Sequence, residues 1–296
     1  MSTATEELVA ARARGNGFRR GFYRFRQSWL AMVGLAVVLM LLVIAVIGPD
    51  IVPYPRDLAG GVRTGARFEP PQAAFWFGTN ELGQDMLSLV LAGTRISLLT
   101  GVVVVLLGAA FGTMVGSIAG FFGGWTDEVL MRIVDLVLTV PSLILAMAVA
   151  TALGPGIGNM IIAITVSWWP GYARLVRGEV MAKKEETFVI AAIAAGAGVA
   201  RLLRRHVLPN ILSPIIVKMS LDMGFAILTV ASLGFIGIGV RPPTPEWGSL
   251  LSVARANVTQ YWWTAIFPGL AIFIAVFAFN LLGDGLRDLL DPRASR

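Results

Sequence analysis

The chain has 296 residues, 56% of them hydrophobic and 14% charged, with a mean hydropathy of +0.76 and a net charge of +6. A soluble domain carries about 25% charged residues, so a soluble fold of this length could not cover its own surface, and the composition calls for a membrane. The excess of basic residues lies beside apolar runs, which marks topology rather than a nucleic-acid footprint, so no nucleic-acid partner is expected.

The first 27 residues are polar and basic, with Arg12, Arg14, Arg19, Arg20, Arg24 and Arg26, and read as a cytoplasmic N-terminal segment, 1–27. The apolar run 28–48 is longer than the roughly 7–15 residues of a signal h-region, and no small-residue cleavage site follows it. It is expected to be retained as a first transmembrane helix. Residues 49–93 hold Pro, Gly and mixed charges and should form an extracytoplasmic segment. Further apolar runs at 96–120, 130–153, 157–172, 211–239 and 262–282 suit a five-helix core over 94–285, each near the ~20 residues a crossing needs. The run 157–172 is the exception, short and interrupted by Gly, Trp and Pro170. The expected fold is an all-α integral membrane protein with six transmembrane helices.

Loop charge sets the orientation. Arg174, Arg177, Lys183, Lys184, Arg201, Arg204 and Arg205 fall in the loop 174–210, and Arg287, Arg293 and Arg296 in the tail 286–296. Arg56, Arg63, Arg67, Arg241 and Arg255 are dispersed among acids and prolines on the other side. The positive-inside rule then puts both termini and the 174–210 loop in the cytoplasm of a bacterial inner membrane.

Within the spans, Gly108, Gly112, Gly116 and Gly120 form a ladder that permits close backbone approach, either within this chain or against another subunit. Arg132 with Asp135, and Lys218 with Asp222, are spaced to meet on one helix face. They read as border charges near the cytoplasmic ends, with a gating or solute role as the second reading. Asn280 and Asp284 are read the same way. Trp168, Trp169, Trp262 and Trp263 suit interfacial belts. The proline-stiffened segment with Arg241, Pro242, Pro243, Glu246 and Trp247 is a candidate contact for an external binding protein or a structural cap. No cysteine occurs, and His206 is the single histidine. Disulfides, thiolate-held metals and His-cluster metal sites are therefore excluded, and His206 reads as structural rather than as a pH sensor.

The stretch 184–210, KEETFVIAAIAAGAGVARLLRRHVLPN, is Ala-rich and helix-favouring yet lies between two spans. Gly196 and Gly198 divide it into helix, turn and helix, and an Ala-faced surface helix suits a groove on a partner. This loop resembles the EAA motif of ABC importer permeases, with Ala191, Ala192, Gly196, Leu208 and Pro209 at matching positions. Ile190 stands where the motif has Glu, and His206 where it has Ile. The Arg205–Asn210 stretch, the FGTNELG block at 77–83 followed by Gln84 and Asp85, and the blocks at 120–132, 234–249 and 268–293 resemble the dipeptide/oligopeptide branch, closest to its C-type permease. The resemblance implies a type I importer permease. Its expected partners are a B-type permease in a heterodimer, two P-loop ATPase subunits, an extracytoplasmic solute-binding protein and the lipid membrane.

The chain has no G-x-x-x-x-G-K-[ST] motif. The resemblance therefore implies no cofactor bound here, with ATP and Mg held by the ATPase subunits, and a coupling loop around Ala191, Ala192, Gly196, Leu208 and Pro209. A secondary transporter or a channel is the alternative. A transporter of that kind calls for charges at span centres and broken-helix repeats, neither of which the sequence suggests. An enzyme is disfavoured, because no nucleophile–base–metal constellation is visible.

Overall fold

The computed structural model describes residue 23 and residues 25–290. Arg12, Arg14, Arg19, Arg20 and Arg24, and Arg293 and Arg296 of the tail, lie outside the described residues. Those described are helical throughout, apart from loops and one isolated bridge between Thr79 and Asp85.

Helix α1 spans Trp29–Ile51, with the Ser28 side chain accepting from the Ala31 amide as its N-cap. Helix α2 spans Met86–Phe122 and is 37 residues long. It starts ten residues before the apolar run, because Asp85 caps it by accepting from the Ser88 amide at 2.9 Å. At ~1.5 Å per residue it is ~55 Å long, so both ends project beyond a hydrocarbon core of ~30 Å.

The run 130–153 is not one helix. It forms α3, Gly124–Thr139, and α4, Ser142–Leu153, bent by 89°. Pro141 stands at the break, where its missing N–H and its ring disfavour continuation. Helix α5 spans Ile157–Lys184 and runs straight through Pro170, twelve residues past the expected end at 172.

What carries α5 onward is the glycine ladder. A Cβ on Gly112 would lie 2.4 Å from the Trp169 carbonyl, and one on Gly116 2.3 Å from the Ala173 carbonyl. Gly120 faces the Arg177 carbonyl at 2.8 Å, and Gly108 is looser. The ladder is thus a seam inside this chain between α2 and α5, along which backbones touch. The Lys184 ammonium donates to the Gly120 carbonyl at 3.0 Å and closes its lower end.

After α5 come α6, Thr187–Ala194, a one-turn helix Val199–Arg201 and a π-helical segment Leu202–Val207. Helix α7, Leu208–Ile236, has Pro209 in its first turn, where a missing N–H costs nothing. Helices α8, Trp247–Ala254, and α9, Trp263–Leu290, complete the fold. Among the described residues, four stretches are long and apolar enough to cross a membrane (α1, α2, Val199–Ile236 and α9), and a fifth if α3 and α4 form one broken span.

The core lies where α1, α2, α7 and α9 meet, around Leu98, Val105, Ala226, Ile227, Ala275 and Phe279. At one end, here the cap end, residues 52–85 and the stretch from Val240 to Trp263 close over the bundle. The opposite end carries α6 and is here the loop end.

Candidate functional site

At the loop end, α6 is held by its inner face. Val189 is fully buried against Val176 and Val180 of α5 and against Leu202, Val207 and Ile211. Each such aliphatic side chain contributes about 1.5–3 kcal/mol on burial, enough to fix a helix of only eight residues. The helix ends in a Schellman cap. The Gly196 amide donates to the Ile193 carbonyl at 2.9 Å and the Ala197 amide to the Ala192 carbonyl at 3.0 Å. Gly196 has φ +79° with nothing within 4 Å of a Cβ. The motif glycine is therefore required by backbone conformation rather than by crowding.

The outer face of α6 differs from the one expected. Ala191 is exposed, but Ala192 turns inward onto the buried cluster. The exposed row is Phe188, Ile190, Ala191, Ile193 and Ala194, with Ile190 54% exposed. Ile190 thus makes apolar the position where the motif has Glu. Leu208 packs at the edge of the same cluster, and Pro209 is exposed at the entry to α7. His206 is half-buried in the π-helical segment with its ring 6.5 Å from that of Phe188, and the Asn210 amide donates to its carbonyl at 2.6 Å.

The expected charge pairs divide. Asp135 pairs with Arg174 of α5 at 2.6 Å rather than with Arg132, which stands exposed on α3. The bend at Pro141 leaves α3 alongside α5, and Arg177 also clasps Asp127 there through two nitrogens. Lys218 and Asp222 do pair, at 3.0 Å. They sit ten and fourteen residues into the 29-residue α7, ~15–21 Å from its start and near its middle rather than at its border. The Lys218 ammonium lies 4.9 Å from the Tyr172 ring centroid. Asn280 of α9 abuts Gly224 on the same helix.

The cap end joins two sequence blocks. Glu246 and Trp247 are fully buried, so they cannot form a surface contact, whereas Arg241, Pro242 and Pro243 are exposed. The Glu246 carboxylate caps α8, accepting from the Gly248 and Ser249 amides at 2.8 Å each and from the Ser97 hydroxyl at 3.1 Å. Burial outweighs those bonds and pushes its carboxyl above the usual range. The Trp247 indole donates to the Val90 carbonyl at 3.0 Å, and the Trp263 indole to the Thr79 carbonyl at 3.1 Å. Trp263 is therefore part of the cap, not of an exposed belt, while Trp262 is half exposed.

Asp57, 1% exposed, accepts from Arg63 at 2.7 Å and from the Asp85 amide at 2.7 Å. Asp85 is raised by burial, which prevails over its bonds to Ser88. A cavity of about 280 Å³ lies between the two blocks, lined by Asn80, Glu81, Gln84, Pro243, Leu250 and Val253 among others. Asp57, Ser88 and Ser97 were not singled out from sequence. Asp57 accepts from the Asp85 amide 28 residues on, Ser88 from the Tyr54 amide 34 residues back, and Ser97 bonds Glu246 149 residues on, and no local spacing reports such contacts.

Comparison with known proteins gives a consistent result. The family model described as binding-protein-dependent transport system inner membrane component matches residues 112–296. The model described as N-terminal TM domain of oligopeptide transport permease C matches residues 18–71. The probable D,D-dipeptide transport system permease protein DdpC of Escherichia coli (strain K12) is 40% identical over 294 residues, covering 98% of this chain and 97% of that protein. The glutathione transport system permease protein GsiD is 44% identical over 270 residues in Escherichia coli O6:K15:H31 (strain 536 / UPEC) and in Shigella boydii serotype 4 (strain Sb227). It covers 91% of this chain and 88% of each.

Proposed function

The chain belongs to the family of binding-protein-dependent transport system inner membrane components, and on that premise we propose that it is the C-type permease of an ATP-driven importer for peptide-like solutes. It forms half of the path, with a B-type permease as the other half, two P-loop ATPase subunits on the cytoplasmic side and a binding protein outside. Six crossings are proposed: α1, α2, the broken pair α3–α4, α5, α7 and α9. They alternate between the cap end and the loop end, and an even number returns the chain to the side on which it began. The positive-inside rule then makes the loop end, with both termini, cytoplasmic.

The observation that carries this reading is α6, a short helix pinned from within by Val189 and presenting Phe188, Ile190, Ala191, Ile193 and Ala194 outward. A contiguous apolar face outside the bilayer calls for a protein partner. Because only the short turn at residues 195–198 separates α6 from the helical run that passes through the π-helical segment into α7, a push on α6 reaches a membrane helix through a short connector. The dipeptide or glutathione class of solute is proposed from the names of the relatives.

Purification of the tagged chain in mild detergent tests the assembly. A second permease and P-loop ATPases should co-purify in fixed ratio. Purification alone, or only with copies of itself, contradicts it.

A further inference from the structure

At helical spacing along α7, Lys218, Asp222, Phe225, Thr229, Ser232 and Ile236 form one stripe, half-buried or exposed in the single chain. The adjoining face, with Met223, Ala226, Ile227, Val230 and Leu233, is buried in the core. Charged side chains halfway along a membrane helix are unfavourable against lipid and face protein or water. The Thr229 and Ser232 hydroxyls bond back to the Phe225 and Leu228 carbonyls at 2.8 and 2.7 Å, which leaves that face polar without tying it to another helix.

A third group sits at the pair. Tyr172 of α5 is fully buried, its ring beneath the Lys218 ammonium and its hydroxyl beside the Asp222 carboxylate, to which it makes no well-aligned hydrogen bond. Buried hydroxyls nearly always find partners, so when the ion pair separates this donor is available to Asp222 or to a group bound there.

We infer that Lys218, Asp222 and Tyr172 form a recognition point on the solute path for zwitterions, molecules carrying a free ammonium and a free carboxylate. The inference rests on the proposed role of the chain as a peptide-importer permease. Unloaded, the two charges neutralise each other. When the pair opens, Asp222 takes the solute's ammonium and Lys218 its carboxylate, with the Tyr172 hydroxyl as a third donor. The exchange leaves net charge unchanged. A lone anion or a lone cation would leave one protein charge unpaired, which is strongly disfavoured away from water.

The experiment uses the whole transporter, with its binding protein, in proteoliposomes, and follows ATP-driven uptake of radiolabelled Ala-Ala and of glutathione. The double variant Lys218→Met/Asp222→Leu removes both charges and leaves none unpaired. Recognition predicts uptake of either probe about tenfold lower, with ATPase stimulation by loaded binding protein within about twofold of native. A pair that only packs the protein, including one that packs against the second permease, predicts near-native uptake from the double variant, and that result overturns the inference.

Should the double variant fail to assemble, Tyr172→Phe decides. It deletes a hydroxyl that makes no well-aligned hydrogen bond and keeps the ring beneath Lys218, so assembly should stay intact while the KM for uptake rises about threefold or more. An unchanged KM overturns the inference. A native complex that takes up neither zwitterion fails the peptide-importer reading itself, and is distinguishable because the native control then shows no uptake.

Discussion

Glu246 joins three roles in one side chain: it caps α8, ties that helix to Ser97 of α2, and fills space beside Gly234. Glu246→Ala should lower stability by about 2–4 kcal/mol, combining loss of the cap with unpaired buried groups. Glu246→Gln, which keeps one acceptor oxygen, should cost less. Thermal unfolding in detergent measures both, and a native-like midpoint for the alanine variant would remove the cap from the account.

The pH dependence has a definite sign. Glu81, Asp85 and Glu246 all have carboxyls raised by burial above the usual 4.5 of a glutamate or 3.8 of an aspartate. Each binds its proton more tightly folded than unfolded. Their joint contribution to stability therefore falls as pH rises from those usual values through the raised ones. Amide-exchange protection of residues 81–89 and 247–254, corrected for intrinsic rates, should be greatest in acid and decline towards neutrality. A flat or opposite trend contradicts the assignment. Sequence placed Glu246 and Trp247 in a proline-rich loop and left two readings open, a contact for a binding protein or a structural cap. Their burial depends on Ser97 and Val90, some 150 residues earlier, a distance over which spacing carries no information.

At the scale of elements, the α2–α5 seam is a long and demanding contact. Gly116→Ala places a methyl 2.3 Å from the Ala173 carbonyl, where backbone must shift, at about 1–3 kcal/mol. Gly178→Ala on the same α5 meets nothing within 4 Å and should stabilise the helix by about 0.5–1 kcal/mol. Opposite signs in detergent melts are expected, and equal shifts would mean that the seam is looser than described.

Four apolar spans and the Gly196 turn were legible in sequence, because length, hydropathy and a glycine after an Ala-rich run are local signals. The 89° bend was not. Pro141 was visible, but Pro49, Pro170, Pro214 and Pro268 lie inside helices that continue through them, and only packing separates the two outcomes. The inward turn of Ala192 was equally hidden, since two adjacent alanines are identical until Val189 anchors one face of α6. The place of Lys218 and Asp222 near the middle of α7 was hidden because that helix continues past Pro209 and Pro214.

For the molecule as a whole, the account turns on a short connection from α6, through the Gly196 turn and the π-helical segment, to α7 that carries motion from a partner into the bundle. Gly196→Arg forces a bulky side chain into the left-handed conformation on the surface assigned to docking. It should abolish ATP-driven uptake while leaving membrane insertion and yield intact, and native uptake by that variant would separate α6 from coupling.

The docking claim itself is tested most directly by covalent capture. The native chain has no cysteine, so in Ala191→Cys it bears a single thiol, to which a photoreactive maleimide is attached before the complex is assembled. Illumination should join this chain to the ATP-hydrolysing subunit, and the yield should change when ATP is bound. The same probe at Ala74→Cys, exposed at the cap end, should leave that subunit unlabelled. Capture of the ATPase from position 74, or its absence from position 191, would contradict the account.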